Sequence, residues 1–140
     1  MKILLKNKEG KYLLVRRNPK KYPEVGAKWD IVGGRIEPGS SLIENLKREI
    51  KEEVGLEYQG SPQLISAQNI LKIAGRHVVR LTYVGEIDGD PKIDGPSTGS
   101  GPNGDHLEAK WFRGEEIKLL GAEILDSYFQ ELITKEIIIL

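Results

Sequence analysis

The sequence predicts an α/β (α+β) domain, and three observations point there. A glycine-rich stretch, Gly33-Gly34-Arg35-Ile36-Glu37-Pro38-Gly39, runs into a segment with helix start and stop signals at both ends. Two runs, Leu13-Leu14-Val15 and His77 to Ile87, have the β-branched, apolar composition of strands. The segment 124–133 repeats apolar residues at helical spacing.

In chain order, Met1 to Leu5 and Lys11 to Arg17 read as two strands joined by the turn Asn7-Lys8-Glu9-Gly10, with the first at a sheet edge. Residues 18–28 hold Pro19, Pro23 and Gly26 and form a loop. Trp29 to Val32 leads into the glycine pair. Ser41 and Glu44 make an S-x-x-E capping box, and Gly55 suits a left-handed helix end, so a helix spans about 42–54. Residues 57–63 link it to a strand over 64–72. Ala74-Gly75-Arg76 is a turn with His77 at its end, and the strand 77–87 follows. Residues 94–104 carry nothing that packs; this stretch is either a passive excursion or a lid beside a site. Asp105 to Phe112 steps from loop to strand, and a helical region opens at Gly114. In the helix 124–133, Leu125, Tyr128, Phe129, Leu132 and Ile133 form the apolar side. The apolar tail Ile137-Ile138-Ile139-Leu140 is expected to dock as a strand or to pack in a homodimer.

The 140 residues suffice for one domain, 1–140, with no internal repeat. Lys+Arg and Asp+Glu are both 21, so the net charge gives no pull toward nucleic acid or an anionic membrane. With no cysteine, disulfides, thiolate nucleophiles and cysteine zinc sites are excluded. No apolar run nears the ~20 residues that a membrane crossing needs, and the cytoplasm is the expected location.

The faces of the helix 42–54 hold the chemistry. Leu42, Ile43, Leu46, Ile50 and Val54 fall on one stripe that is expected to be buried. At about 100° per residue, Glu49 and Glu53 border that stripe beside Leu42, with Glu52 further round and Arg48 beyond it. Like charges at i and i+4 cost a helix a few tenths of a kcal/mol, so three carboxylates gathered beside a core suggest a cation among them. Carboxylate oxygens suit Mg²⁺ or Mn²⁺, and the flexible glycines let a carbonyl near Gly33 or Gly34 approach the same ion.

The pattern Gly34-x5-Ser40-x7-Arg48-Glu49-Ile50-x-Glu52-Glu53-x-Gly55-Leu56 resembles the Nudix box, G-x5-E-x7-R-E-U-x-E-E-x-G-U, where U is a bulky aliphatic. Ser40 departs from it, standing where the family has Glu; Glu37 or Glu44 is a candidate substitute. Arg76-His77 before a strand and the turn Gly89-Asp90-Pro91 after it resemble the MutT-like branch. The resemblance implies the Nudix fold, a mixed β-sheet between helices. It also implies Mg²⁺-dependent cleavage of a pyrophosphate link in a nucleoside diphosphate joined to a group X. The MutT-like look points to a nucleoside triphosphate, giving monophosphate and pyrophosphate.

Carried onto this chain, the family's roles make Glu49, Glu52 and Glu53 metal ligands, with Gly34 supplying a carbonyl. Asp105 joins them, with Glu108 as its alternative. Glu52 or Glu53 acts as the base, and Arg48 orients Glu49. Arg17 and Arg35 bind the substrate. A different reading of the Ser40 departure is a nucleotide-binding sensor without turnover. An ADP-ribose or nucleotide-sugar hydrolase is a further alternative.

Overall fold

Two apolar layers on opposite faces of one sheet set where the functional residues lie. The computed structural model describes residues 1–93 and 104–140; the stretch read as a lid lies outside them except for Gly104. The elements are β1 (Lys2–Lys6), β2 (Tyr12–Arg17), β3 (Trp29–Asp30), β4 (Val32–Gly33), α1 (Leu42–Val54), β5 (Gln63–Ile70), β6 (Val78–Glu86), β7 (His106–Phe112), α2 (Gly114–Leu120) and α3 (Ser127–Thr134).

Among the described residues the sheet has the path β3-β2-β1-β6-β5, with β4 added on β1 and β7 on β2. β1 and β6 run parallel, from Lys2↔Thr82 to Lys6↔Glu86, and the other pairings are antiparallel, so the sheet is mixed. The edge position expected for the first strand is therefore corrected: β1 is central, held by β2, β4 and β6. Its composition explains why. Ile3, Leu5, Leu13 and Val15 pack on one face with Leu46, Ile50 and Val54 of α1. Leu4, Tyr12 and Leu14 pack on the other with Ile117 of α2 and Phe129 and Leu132 of α3. A strand covered on both faces reads as a continuous apolar run rather than an alternating one.

α1 begins and ends where the sequence places it. Ser41 Oγ accepts from the Glu44 N–H, Glu44 Oε2 accepts from the Ser41 N–H, and Gly55 closes the helix at φ 69°. α3 is shorter than the apolar pattern. Asp126 caps it by accepting from the Tyr128 and Phe129 N–H groups, so the helix starts at Ser127. Leu125 is buried ahead of the cap, in a bridge to Trp29, and its apolar character prolonged the helical pattern without being helical. The tail forms no strand. Ile138 and Leu140 pack on the chain's own core, and Ile139 is 80% exposed. Among the described residues, no helix is long and apolar enough to cross a membrane.

Candidate functional site

The inward face of α1 differs from the apolar stripe. Leu42 and Ile43 are 42% and 46% exposed, while Asn45, Leu46, Glu49, Ile50, Glu53 and Val54 are buried. The correction has a polar cause. Asn45, Glu49 and Glu53 stand at i, i+4 and i+8, one column along the helix, and each meets the glycine-rich loop. Asn45 Oδ1 accepts from the Glu37 N–H at 2.8 Å, and its Nδ2 donates to the Ser40 and Ser41 carbonyls. Glu49 lies so close to Gly34 that a Cβ there would sit 2.6 Å from Oε2. Glu53 Oε2 accepts from the Gly33 N–H at 2.9 Å. Gly33 takes φ 142° against β1, where a Cβ would meet the Met1 carbonyl at 2.2 Å. The glycine pair thus serves one residue for backbone shape and the other for close approach of a carboxylate.

Gly33, Gly34, Glu49 and Glu53 line a cavity of about 640 Å³. Among the sequence-derived site residues, Gly34, Glu49, Glu52, Glu53, Arg17, Arg35 and Asp105 all border it. Arg48 stands beside it, with Nη1 3.0 Å from Glu49 Oε1 and 3.2 Å from Glu52 Oε2, and Nε 3.2 Å from Glu37 Oε2. Its Nη2 also donates to the Arg35 carbonyl, so one guanidinium ties loop and helix together. Glu52 is turned toward solvent, its side chain 48% exposed. The three glutamates therefore form a buried pair and one outer member. Among the described residues no ready-made metal cage of three or more His, Asp or Glu side chains is gathered. Asp105, half-exposed, pairs with Lys21 at 2.9 Å. Its alternative Glu108 pairs with Arg16 and does not border the cavity. Neither candidate substitute for the box glutamate borders it either: Glu37 holds Arg48, and Glu44 is spent on the helix cap. The Gly34 carbonyl accepts from the Met1 ammonium at 2.8 Å.

Burial raises the Glu53 carboxyl to a pKa of about 8; attraction from Lys2 and the Gly33 N–H opposes this without offsetting it, and the Glu49 charge adds to it. Burial likewise raises Glu49, against the pull of Arg48. Two desolvated carboxylates held side by side are a donor set that a small divalent cation fits, because its charge would favour their ionised forms. Glu49 and Glu53 could hold it, with Glu52 and Asp105 at the rim.

Several residues bordering or supporting the cavity escaped the sequence reading. Asp30 is fully buried and accepts from Arg17 Nη2 at 2.9 Å and Arg80 Nη2 at 2.9 Å, with Lys2 Nζ at 3.1 Å. Burial acts to raise its pKa, but Lys2, Arg80 and Arg17 outweigh that and hold it well below the usual carboxylate range. Arg17 and Arg80 also pair with Asp126. Lys2 Nζ further donates to the Ile31 and Gly33 carbonyls, directly under the loop. His106 is buried with Nε2 4.0 Å from Glu53 Oε1, and burial lowers it to a pKa of about 4. The available signal was a single charge inside an apolar strand run, as in Trp29-Asp30-Ile31 and Val79-Arg80-Leu81. Such charges must be paired when buried.

Comparison with known proteins agrees with this geometry. The chain is 35% identical over 69 residues to the CTP pyrophosphohydrolase of Escherichia coli (strain K12), a match over 49% of this chain and 48%, about half, of that protein. It is similar to the crystal structure of the MutT protein from Methanosarcina mazei Go1, at 27% identity and a TM-score of 0.74 over 96% of this chain and 88% of that one. The NUDIX domain of Shewanella oneidensis NrtR, solved with ADP ribose, shares the fold at 17% identity and a TM-score of 0.68, over 96% of this chain and 82% of that one. The family model for the NUDIX domain matches residues 1–132, and with the glycine loop, Arg48 and the glutamates of α1 in place, the chain belongs to the NUDIX domain family.

Proposed function

We propose that the protein is a divalent-cation-dependent pyrophosphohydrolase that cleaves a nucleoside triphosphate to the monophosphate and pyrophosphate. The observation that carries this is the buried Glu49–Glu53 pair beneath Gly33 and Gly34, facing a cavity that Arg17 and Arg35 also border. The name of the Escherichia coli relative, a CTP pyrophosphohydrolase, supports a triphosphate as substrate.

Glu49 and Glu53 would hold Mg²⁺ or Mn²⁺, with Glu52, Asp105 and the Gly34 carbonyl within the same cavity wall. The bound ion would polarise phosphoryl oxygens and neutralise the polyphosphate. Arg35 and Arg17 add positive charge at the wall, of which Arg17 is partly committed to Asp30 and Asp126. Hydrolysis forms a bond from the water oxygen to phosphorus and breaks the bond from that phosphorus to the bridging oxygen. The water proton passes to a carboxylate, and pyrophosphate leaves with the bridging oxygen. Of the two candidate bases, Glu52 has the better access, since it borders the cavity half in water and is steadied by Arg48. Glu53, buried and bonded to the Gly33 N–H, suits a ligand.

The test is Mg²⁺-dependent release of nucleoside monophosphate. Glu52→Gln should lower kcat by about 10²–10⁴-fold while metal binding persists, the range for loss of a positioned base. Glu53→Gln should weaken metal binding itself. Equal rates for wild type and Glu53→Gln overturn the assignment. A second reading, a sensor that binds nucleotide without turnover, is favoured by one observation: Ser40 brings no carboxylate and the two candidate substitutes lie off the cavity. Nucleotide binding with no turnover in either Mg²⁺ or Mn²⁺ selects it.

A further inference from the structure

A second cavity, of about 790 Å³, lies beside the carboxylate cavity and shares Arg17, Tyr22, Arg35, Ile70 and Val78 with it. The two form one cleft. The second cavity has its own chemistry. Ile73 and Val78, from the end of the β5–β6 hairpin, are 51% and 41% exposed and face it with the Tyr128 ring. Apolar side chains left open to water in a concave wall are the usual lining of a small-molecule site. Around them stand Lys28, Lys72 and Arg76, against the single carboxylate of Glu24 once Asp126 is set aside with Arg17 and Arg80. Among the described residues none of these three cations is in an ion pair; Lys72 instead sits 5.1 Å above the Tyr128 ring. In a chain whose Lys+Arg and Asp+Glu are equal at 21 each, this is a local surplus of positive charge in the cavity that the glutamates of α1 do not border.

We propose that the second cavity is a subsite for a further anionic group, a phosphate or carboxylate that the substrate carries away from its scissile pyrophosphate. Lys72 and Arg76 recognise it while the Tyr128, Ile73 and Val78 wall takes the planar or apolar part. The substrate class is thus a nucleotide with two separated centres of negative charge. Within the proposed triphosphate reading the polyphosphate is one such centre, and Lys28, Lys72 and Arg76 line the wall that would meet a second, carried elsewhere on the nucleotide. This deepens the proposed function and rests on the carboxylate cavity taking the pyrophosphate-bearing end.

Calorimetric titration under conditions that allow no turnover separates the two. The probes are the 5′-monophosphates and 3′,5′-bisphosphates of adenosine, guanosine, cytidine and uridine, together with the pair dephospho-coenzyme A and coenzyme A at metal-free conditions. In at least one pair the member with the additional phosphate should bind about tenfold tighter or more, the value of one added charged hydrogen bond. Lys72→Gln with Arg76→Gln should remove that advantage, and Lys72→Arg with Arg76→Lys should keep it. Both positions are exposed, so folding is little affected. Equal affinity within every pair, or an advantage that survives the double Gln variant, overturns the subsite. If the members with one phosphate fewer bind and the subsite fails, the hydrolase reading stands; if no probe binds, the subsite falls, and the hydrolase reading is judged separately by Mg²⁺-dependent release of nucleoside monophosphate.

Discussion

Glu53→Gln is expected to make the metal-free protein more stable, and to do so only above mildly acidic pH. The carboxyl has a pKa of about 8 in the folded chain against 4.5 for an unperturbed glutamate. The sign follows from proton counting. Between these values the folded state holds a proton that the unfolded state has lost, so stability falls as pH rises through the window and is constant outside it. At pH 8 most of the shift is in play, a cost on the order of 4 kcal/mol at about 1.4 kcal/mol per unit. Glutamine keeps the shape, can accept from the Gly33 N–H and does not titrate. At roughly 3 °C per kcal/mol for a chain of this size, the variant should melt roughly 5–15 °C above wild type at pH 8 and level with it near pH 4.5. His106 and the Met1 ammonium also titrate in the window and are coupled to Glu53, so their response to the lost charge is part of the measured difference. Magnesium should narrow the gap by stabilising wild type, by about 3 kcal/mol at a hundred times its Kd, and should leave the variant little changed. Differential scanning calorimetry from pH 4.5 to 8.5, with and without the ion, reads all of this. Parallel melting curves for the two proteins would refute the claim that burial of this carboxyl is costly.

Three further outcomes follow from the same geometry. Gly34→Ala should fold, because the group it would crowd is the far end of the flexible Glu49 side chain. The displaced carboxylate should nevertheless cost on the order of 10²-fold in kcat/KM, and a matching loss of thermal stability would count against it. Asp30→Asn removes the anion between Lys2, Arg17 and Arg80; urea unfolding should register a loss of about 3–5 kcal/mol, the cost of orphaning buried charge. Since the Asp30 pKa is depressed, its contribution is present above the unfolded-chain value and is lost as pH falls through the acid range, so the Asn variant should converge on wild type there. Asn45→Ala breaks two bonds between α1 and the loop before it and a third to the N-cap carbonyl of Ser41; hydrogen exchange should quicken at the Glu37 amide, and unchanged protection would count against the column.

Much of this was legible because it was local. The capping box and the glycine end of α1 fixed its limits, since both signals act within a turn of the residues that carry them. The strands β2 and β6 declared themselves by composition. What could not be read was which way α1 faced. A hydrophobic stripe predicts burial of Leu42 and Ile43, yet the helix is rotated so that Asn45, Glu49 and Glu53 meet the loop. Apolar periodicity carries no information about hydrogen bonds to a distant backbone. The Asp30 cluster was hidden for a related reason: its members come from β1, β2, β3 and β6, and only the register of the sheet brings them together.

Asp30 and Glu53 show how two buried acids in one molecule can differ in kind. Asp30 is encircled by three cations that outweigh its desolvation, so it is ionised at any working pH and its charge is spent on holding Lys2, Arg17 and Arg80 in place. Around Glu53 the balance runs the other way: desolvation exceeds the attractions, and the neighbouring Glu49 charge adds to the cost. The first arrangement is complete with protein groups alone. The second carries a stored preference for positive charge, and it borders a cavity open to ions and substrate. Lys2 links the two, bonded to Asp30 and to the Gly33 carbonyl while its charge lowers the Glu53 pKa. The Asp30 cluster therefore anchors the loop against which the desolvated carboxyl pair is held, and the stability that the first supplies is what allows the second to remain poised toward a cation.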